Sequence, residues 1–288
     1  MIIVIFTLFI TGICVGSFLN VLVDRLPRGE SIGFWTSQND KEKRSHCEHC
    51  KHTLAWYDLV PLLSFIFLRG KCRYCKVSLS LYYPIIEVIT GILFVLAVFL
   101  LSHGVILERA LRPIGSWDSI ASLQNDMAIY IIVISYYLYL VSSLIVIFFV
   151  DLKNGIIPDK ILVPAIVITF LFQLYAIRYT LYASLLSALG VFLLFLFLHL
   201  ATRGRGMGFG DVKYVILMGL VLGFPGIVVG MYIAFLTGAA VSLILIAWHK
   251  KKLHGSTIPF GPFLVFGTIV AMFWGTVLLR QFLPFLVK

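Results

Sequence analysis

The chain has 288 residues, of which 60% are hydrophobic and only 12% charged, with 23 lysines and arginines against 13 acidic residues. So much apolar side chain exceeds what one water-soluble core buries, and this excludes an ordinary soluble globular domain. The basic excess does not point to nucleic acid, because it is gathered in the segments that separate apolar runs.

Runs long enough to cross about 30 Å of hydrocarbon as helix recur at about 2–23, 83–102, 127–150, 161–177, 181–201, 211–223, 226–248 and 259–281. The fold predicted is an all-α polytopic membrane protein of about eight transmembrane helices, with a small cytoplasmic zinc-ribbon-like loop domain. The first run lacks a positive n-region and a small-residue cleavage site, so it reads as a retained helix. When the hydrophilic segments are assigned alternately to the two sides, 24–81, 151–160, 202–213 and 249–257 carry 18 of the 23 basic residues. The positive-inside rule then puts those segments in the cytoplasm and both termini outside, which requires an even number of spans.

After the first run, Cys47-Glu48-His49-Cys50 and Cys72-Arg73-Tyr74-Cys75 form two C-x2-C pairs. Two disulfides or four free thiols are the alternatives to a metal. The cytoplasmic assignment disfavours disulfides, and the spacing offers four thiolates to one tetrahedral Zn2+ on Cys47, Cys50, Cys72 and Cys75. A closed site of this kind is structural, and it leaves His46, His49 and His52 outside the ligand set. Cys14 reads as a small apolar residue of the first span. The short apolar stretch 56–68, interrupted by Pro61, is expected on the membrane surface or against the ribbon.

Glu87 lies about one turn into the second span, where it is expected to pair with a basic residue or to fix the helix angle. Asp151 closes the third run and Asp211 opens the sixth, and ionisable groups at such positions are functional candidates by default. Asp211 and Asp159 also read as helix caps, whereas Asp151 at a C-terminus opposes the helix dipole. The sixth run is short, so either its helix is stunted or residues near 205–211 dip into the membrane. Gly208 and Gly210 leave backbone freedom and room for a substrate strand beside Asp211, and Gly204-Arg205-Gly206 extends that stretch.

Taken in order, Gly16-Ser17-Phe18-Leu19-Asn20-Val21 with Asp24-Arg25-Leu26-Pro27, the paired cysteines, Leu68-Arg69-Gly70-Lys71-Cys72, and Tyr83-Pro84-Ile85-Ile86-Glu87 resemble the type IV prepilin peptidases. So do Asp151-Leu152 through Ile157-Pro158-Asp159 and Gly208-Phe209-Gly210-Asp211-Val212-Lys213, the latter being similar to the G-x-G-D motif of these membrane aspartic proteases. The resemblance implies a catalytic pair, Asp151 and Asp211, in the bacterial inner membrane, cleaving the basic leader of prepilins or pseudopilins after a glycine at the cytoplasmic face. It also implies N-methylation with S-adenosylmethionine, expected to map to about the first 90 residues. Many relatives are acidic two places after the first aspartate, where this chain has Lys153, so that position holds no third carboxylate. The expected division is a first helix (1–23), a tetracysteine domain (24–82), a second helix with an external loop (83–126) and a six-helix peptidase core (127–288). A non-catalytic membrane scaffold with a zinc-binding loop is the alternative; a proton-coupled transporter would show internal repeats, and none is found.

Overall fold

The computed structural model describes residues 2–29, 45–102, 127–176, 181–204, 206–248 and 259–282. The expected external loop 103–126, the basic cluster at 249–257, Arg205 and both termini lie outside them. Two compact units divide the chain, Met1–Leu96 and Ala97–Lys288. Helices make up both, and among the described residues extended pairing is limited to two isolated bridges, His46 with Thr53 and Lys71 with Ser78.

In the first unit, α1 (Ile2–Arg25) is apolar until Asp24 and Arg25 stop it. It packs against the start of α3 (Tyr82–Ser102) through small residues. A Cβ added at Gly12 would stand 2.7 Å from the Gly91 Cα, and one at Gly16 would stand 2.7 Å from the Glu87 Cα. Only glycine permits so close an approach of two backbones, as is common between membrane helices. The connection between them holds a 3-10 turn (Trp56–Leu59) and the short helix α2 (Leu63–Phe67). Asp58 fastens that turn, accepting from the Ala55 N–H at 3.2 Å, the Arg73 Nε at 2.6 Å and the Tyr74 hydroxyl at 3.3 Å. Trp56, Ile66 and Phe67 stay exposed, so the ribbon covers only part of the 56–68 stretch.

The second unit contains α4 (Met127–Asn154), α5 (Asp159–Ala176), α6 (Leu181–Ala201), α7 (Phe209–Ala247) and α8 (Gly261–Phe282). The long α7 is not one rod. Gly223 (φ 57°, ψ 179°) and Phe224 (φ −85°, ψ 138°) leave the helical region just before Pro225, which has no N–H to continue the ladder. A Cβ on Gly230 would touch the side chains of Met218 at 2.6 Å and Leu222 at 2.8 Å. In a straight helix those residues lie about 12 to 18 Å apart along the axis, so the two halves fold back on one another. Counted separately, they make eight apolar helical runs among the described residues, as the hydropathy pattern predicts. The first half, 209–222, spans only about 21 Å, so the short sixth run is a stunted helix.

The halves and their neighbours also meet through small residues. Gly219 faces the Ala188 backbone and Gly267 faces the Gly230 carbonyl. Among the described residues buried polar links between these helices are few: the Tyr214 hydroxyl donates to the Thr268 Oγ1 at 2.8 Å, the Tyr136 hydroxyl donates to the Thr169 Oγ1 at 3.3 Å, and the Gln173 Nε2 donates to the Leu220 carbonyl. Large apolar side chains such as Leu186, Phe197 and Leu243 are exposed along the helices, the surface that lipid solvates.

Candidate active site and metal centre

Asp151 sits in the last turn of α4. Gly155, at φ 67°, closes that helix, and its N–H donates to the Asp151 carbonyl at 2.8 Å. Asp211 sits in the first turn of α7, behind Gly208, an extended N-cap (φ −68°, ψ 145°) without a side-chain cap. Gly208, not Asp211, is therefore the cap, and the carboxylate enjoys the positive end of the helix dipole from within the first turn. The two aspartates are only 4% and 8% exposed.

The side chain of Ile157 links their surroundings. A Cβ on Gly210 would lie 3.3 Å from the Ile157 Cβ, and one on Gly261 would lie 3.3 Å from its Cδ1 and collide with the Asp151 carboxylate. The Asp151 and Asp211 charges stand within Coulombic range of each other. Asp151 Oδ2 is buried without a hydrogen-bond partner among the described residues. Lys213 lies nearby in sequence, but Asp159 engages it at 2.7 Å and its Nζ lies 5.3 Å from the Phe209 ring centroid. Among the described residues, then, no basic side chain pairs with either buried aspartate. Asp159 itself is the first helical residue of α5, with the Pro158 carbonyl accepting the first helical bonds from Ile161 and Leu162. Its carboxylate serves an ion pair more than a cap.

The four cysteines converge. Cys47, Cys50, Cys72 and Cys75 place their sulfurs within 4.8 Å of one another, with Cys47 Sγ and Cys75 Sγ 3.8 Å apart. A tetrahedral ion bonded at about 2.3 Å to four sulfurs sets S–S edges of about 3.8 Å, so the cluster fits Zn2+. The two halves are copies of one turn. The Cys47 N–H donates to the His52 carbonyl (3.0 Å) and the Lys51 N–H to the Cys47 carbonyl (2.9 Å). Cys72 with Val77 (2.8 Å) and Lys76 with Cys72 (3.0 Å) repeat the pattern. Lys51 and Lys76 close the turns at φ 55° and 59°. The Cys50 N–H is the largest influence that lowers the Cys47 thiol to about 7. The Val77 N–H acts in the same sense on Cys75, but burial and the three neighbouring thiols push it up to about 11. Such crowding of thiols suits a cation. His46, His49 and His52 are exposed and outside the cluster.

Glu87 is buried and takes no basic partner among the described residues, contrary to one sequence expectation. Its Oε2 accepts the Leu62 N–H at 2.8 Å, tying α3 to the turn before α2. Sequence reasoning gave no role to Gly261 or Ile157. The apolar run at 259–281 predicted the helix that Gly261 opens, but nothing in it revealed that Asp151 lies opposite.

Apolar helices with two buried carboxylates at their ends in one unit, and a four-thiol module in the other, define a polytopic membrane protein with a candidate carboxylate site. Residues 10–101 match the Bacterial Peptidase A24 N-terminal domain and residues 138–243 the Type IV leader peptidase family. The chain is 30% identical over 288 residues to a prepilin leader peptidase/N-methyltransferase of Burkholderia pseudomallei (strain 1026b), covering 93% of this chain and 84% of the relative. It is 28% identical over 297 residues to one of Aeromonas hydrophila, covering 96% and 92%. No solved structure gives a significant match. The chain belongs to the type IV leader peptidase family and is a membrane-embedded peptidase.

Proposed function

We propose that this peptidase removes the basic leader from prepilins or pseudopilins at the cytoplasmic face of the inner membrane, with Asp151 and Asp211 as its catalytic pair. The reading is supported above all by two buried carboxylates from different helices, within Coulombic range and without a basic partner among the described residues. Two such groups share a proton: one stays ionised and takes a proton from the attacking water, while the neutral one donates to the scissile carbonyl. Gly208 and Gly210 leave backbone space beside Asp211 for an extended substrate strand. The basic leader stays in the cytoplasm, and the apolar helix that follows it lies among the spans, so the scissile bond comes to the membrane surface.

The four-part division expected from the sequence follows this reading, with the pair in the 127–288 core and the cysteine cluster in 24–82. Zn2+ held by Cys47, Cys50, Cys72 and Cys75 is structural, because four thiolates leave it no open position. Methylation of the new terminus is assigned to the first unit, where a cavity of about 620 Å3 is lined by residues of α1, the cysteine loop and α3. That volume lies within the usual range of small-molecule sites. S-adenosylmethionine, when bound, supplies the methyl group.

The decisive experiment is leader cleavage by Asp151→Asn and Asp211→Asn, each inserted in the membrane at wild-type level. Asn keeps the shape and removes the base, so both variants should be inactive. Near wild-type processing by either one would replace the peptidase assignment of this pair with the scaffold reading. For methylation, mass spectrometry of substrate processed with S-adenosylmethionine should show one added methyl at the new terminus.

A further inference from the structure

The cavity in the first unit has apolar walls, among them Leu62, Phe65, Leu68 and Pro84, and two buried acceptors, Asn20 and Glu87. Each acceptor is 6% exposed. The Asn20 Nδ2 donates to the Tyr83 carbonyl at 3.2 Å, which leaves Oδ1 without a hydrogen-bond partner among the described residues. Glu87 accepts from the Leu62 N–H at 2.8 Å, a neutral donor, and the Ser17 hydroxyl near it is neutral too. Three arginines line the same cavity and all are engaged, Arg28 with Glu48, Arg73 with Asp58, and Arg25 in an interaction of its own.

A buried carboxylate with only neutral partners is costly unless a cation completes it. Asp24, Glu48 and Asp58 also line the cavity, but they are engaged by Tyr83, Arg28 and Arg73, so Glu87 is the buried carboxylate there without a charged partner among the described residues. An amine carrying an apolar group matches both the acceptors and the walls.

We propose that the cavity binds an α-ammonium group, received by Glu87 and the Asn20 Oδ1, with the adjoining apolar portion along Leu62 and Phe65. The inference rests on the methyl-transfer reading for its two sources: the amino terminus of the processed peptide and the amino-acid end of S-adenosylmethionine. Both present the same charged group.

Calorimetric binding to the full-length, metal-loaded protein in detergent separates them. One arm compares an apolar peptide bearing a free amino terminus with its N-acetylated form. The other compares S-adenosylhomocysteine with methylthioadenosine, both neutral at sulfur and differing by the amino-acid end. A preference of about tenfold or more for the amine is expected in at least one arm, the discrimination that a charge-assisted hydrogen bond provides, and that arm names the source. Glu87→Gln should abolish the preference. Asn20→Leu, the independent check should Glu87→Gln not fold, should weaken it while metal content stays at the wild-type level. Equal binding of amine and blocked analogue in both arms, or full preference retained by a folded variant, overturns the proposal. If the preference appears and no methyl group is ever transferred, the methylation reading falls and the binding site stands. If methylation proceeds with no preference in either arm, the reverse holds.

Discussion

The proposed catalytic pair, Asp151 and Asp211, should respond to substitution as a unit. The Asp151→Asn/Asp211→Asn double variant is expected to cleave leader no more slowly than either single variant, as for residues that act only together. Single-turnover assays on the three proteins check this. The pH profile of wild-type cleavage should likewise belong to the pair, with two limbs that are assigned to the dyad and not to either aspartate alone. Gly261 is the neighbour whose lack of a side chain lets the Asp151 carboxylate occupy its place. Gly261→Ala should therefore lower cleavage by about a hundredfold, the effect of a misplacement of about 1 Å, without loss of protein from the membrane. Asp159→Asn touches only a half-exposed ion pair with Lys213, and it should cost at most about 1 kcal/mol and preserve activity.

For single elements, the same substitution has opposite consequences at different glycines. On α6, Gly190 has nothing within 4 Å of its missing Cβ, while Gly219 on the first half of α7 lies against the Ala188 backbone. Gly190→Ala is expected to leave thermal unfolding in detergent unchanged or raise it, because alanine favours helix by up to about 1 kcal/mol. Gly219→Ala should lower it by forcing two helices apart. The cysteine turns make a separate test. Metal binding supplies much of a small module's folding free energy, so chelation should unfold the turns around the exposed Lys51, Lys71 and Lys76 and speed tryptic cleavage there. Elemental analysis of the purified protein should give about one zinc per chain. A metal-free preparation that resisted trypsin as the loaded one does would remove the metal from the folding account.

At the scale of the whole molecule, the distribution of charge assigns sides. Eighteen of 23 basic residues fall on the segments assigned to the cytoplasm, so cysteines placed near positions 110 and 251 should be labelled from opposite sides of the membrane. Labelling from one side would break the alternation on which the eight-span arrangement rests. The fold-back of α7 at Gly223 makes that alternation possible, because without a reversal there Phe209–Ala247 would count as a single crossing.

Helix number and the four-thiol cluster were legible in the sequence because each depends on local chemistry. A run of apolar residues fixes a spanning helix through the cost of unsatisfied backbone in lipid, and two C-x2-C turns each fold within a few residues. The chain also marked Asp151 and Asp211, since carboxylates are rare at such depths. Tertiary packing decided their surroundings. Gly261 beside Asp151, Ile157 between the two glycines, and Lys213 diverted to Asp159 are contacts between segments far apart in sequence, and no periodicity records them. Likewise Asn20 looked like part of a signature, and only the approach of α3, permitted by Gly12 and Gly16, left its oxygen buried without a partner among the described residues, in the cavity that Glu87 also lines. Residue type announces where a charge is placed at a cost; which groups then surround it depends on how the helices pack.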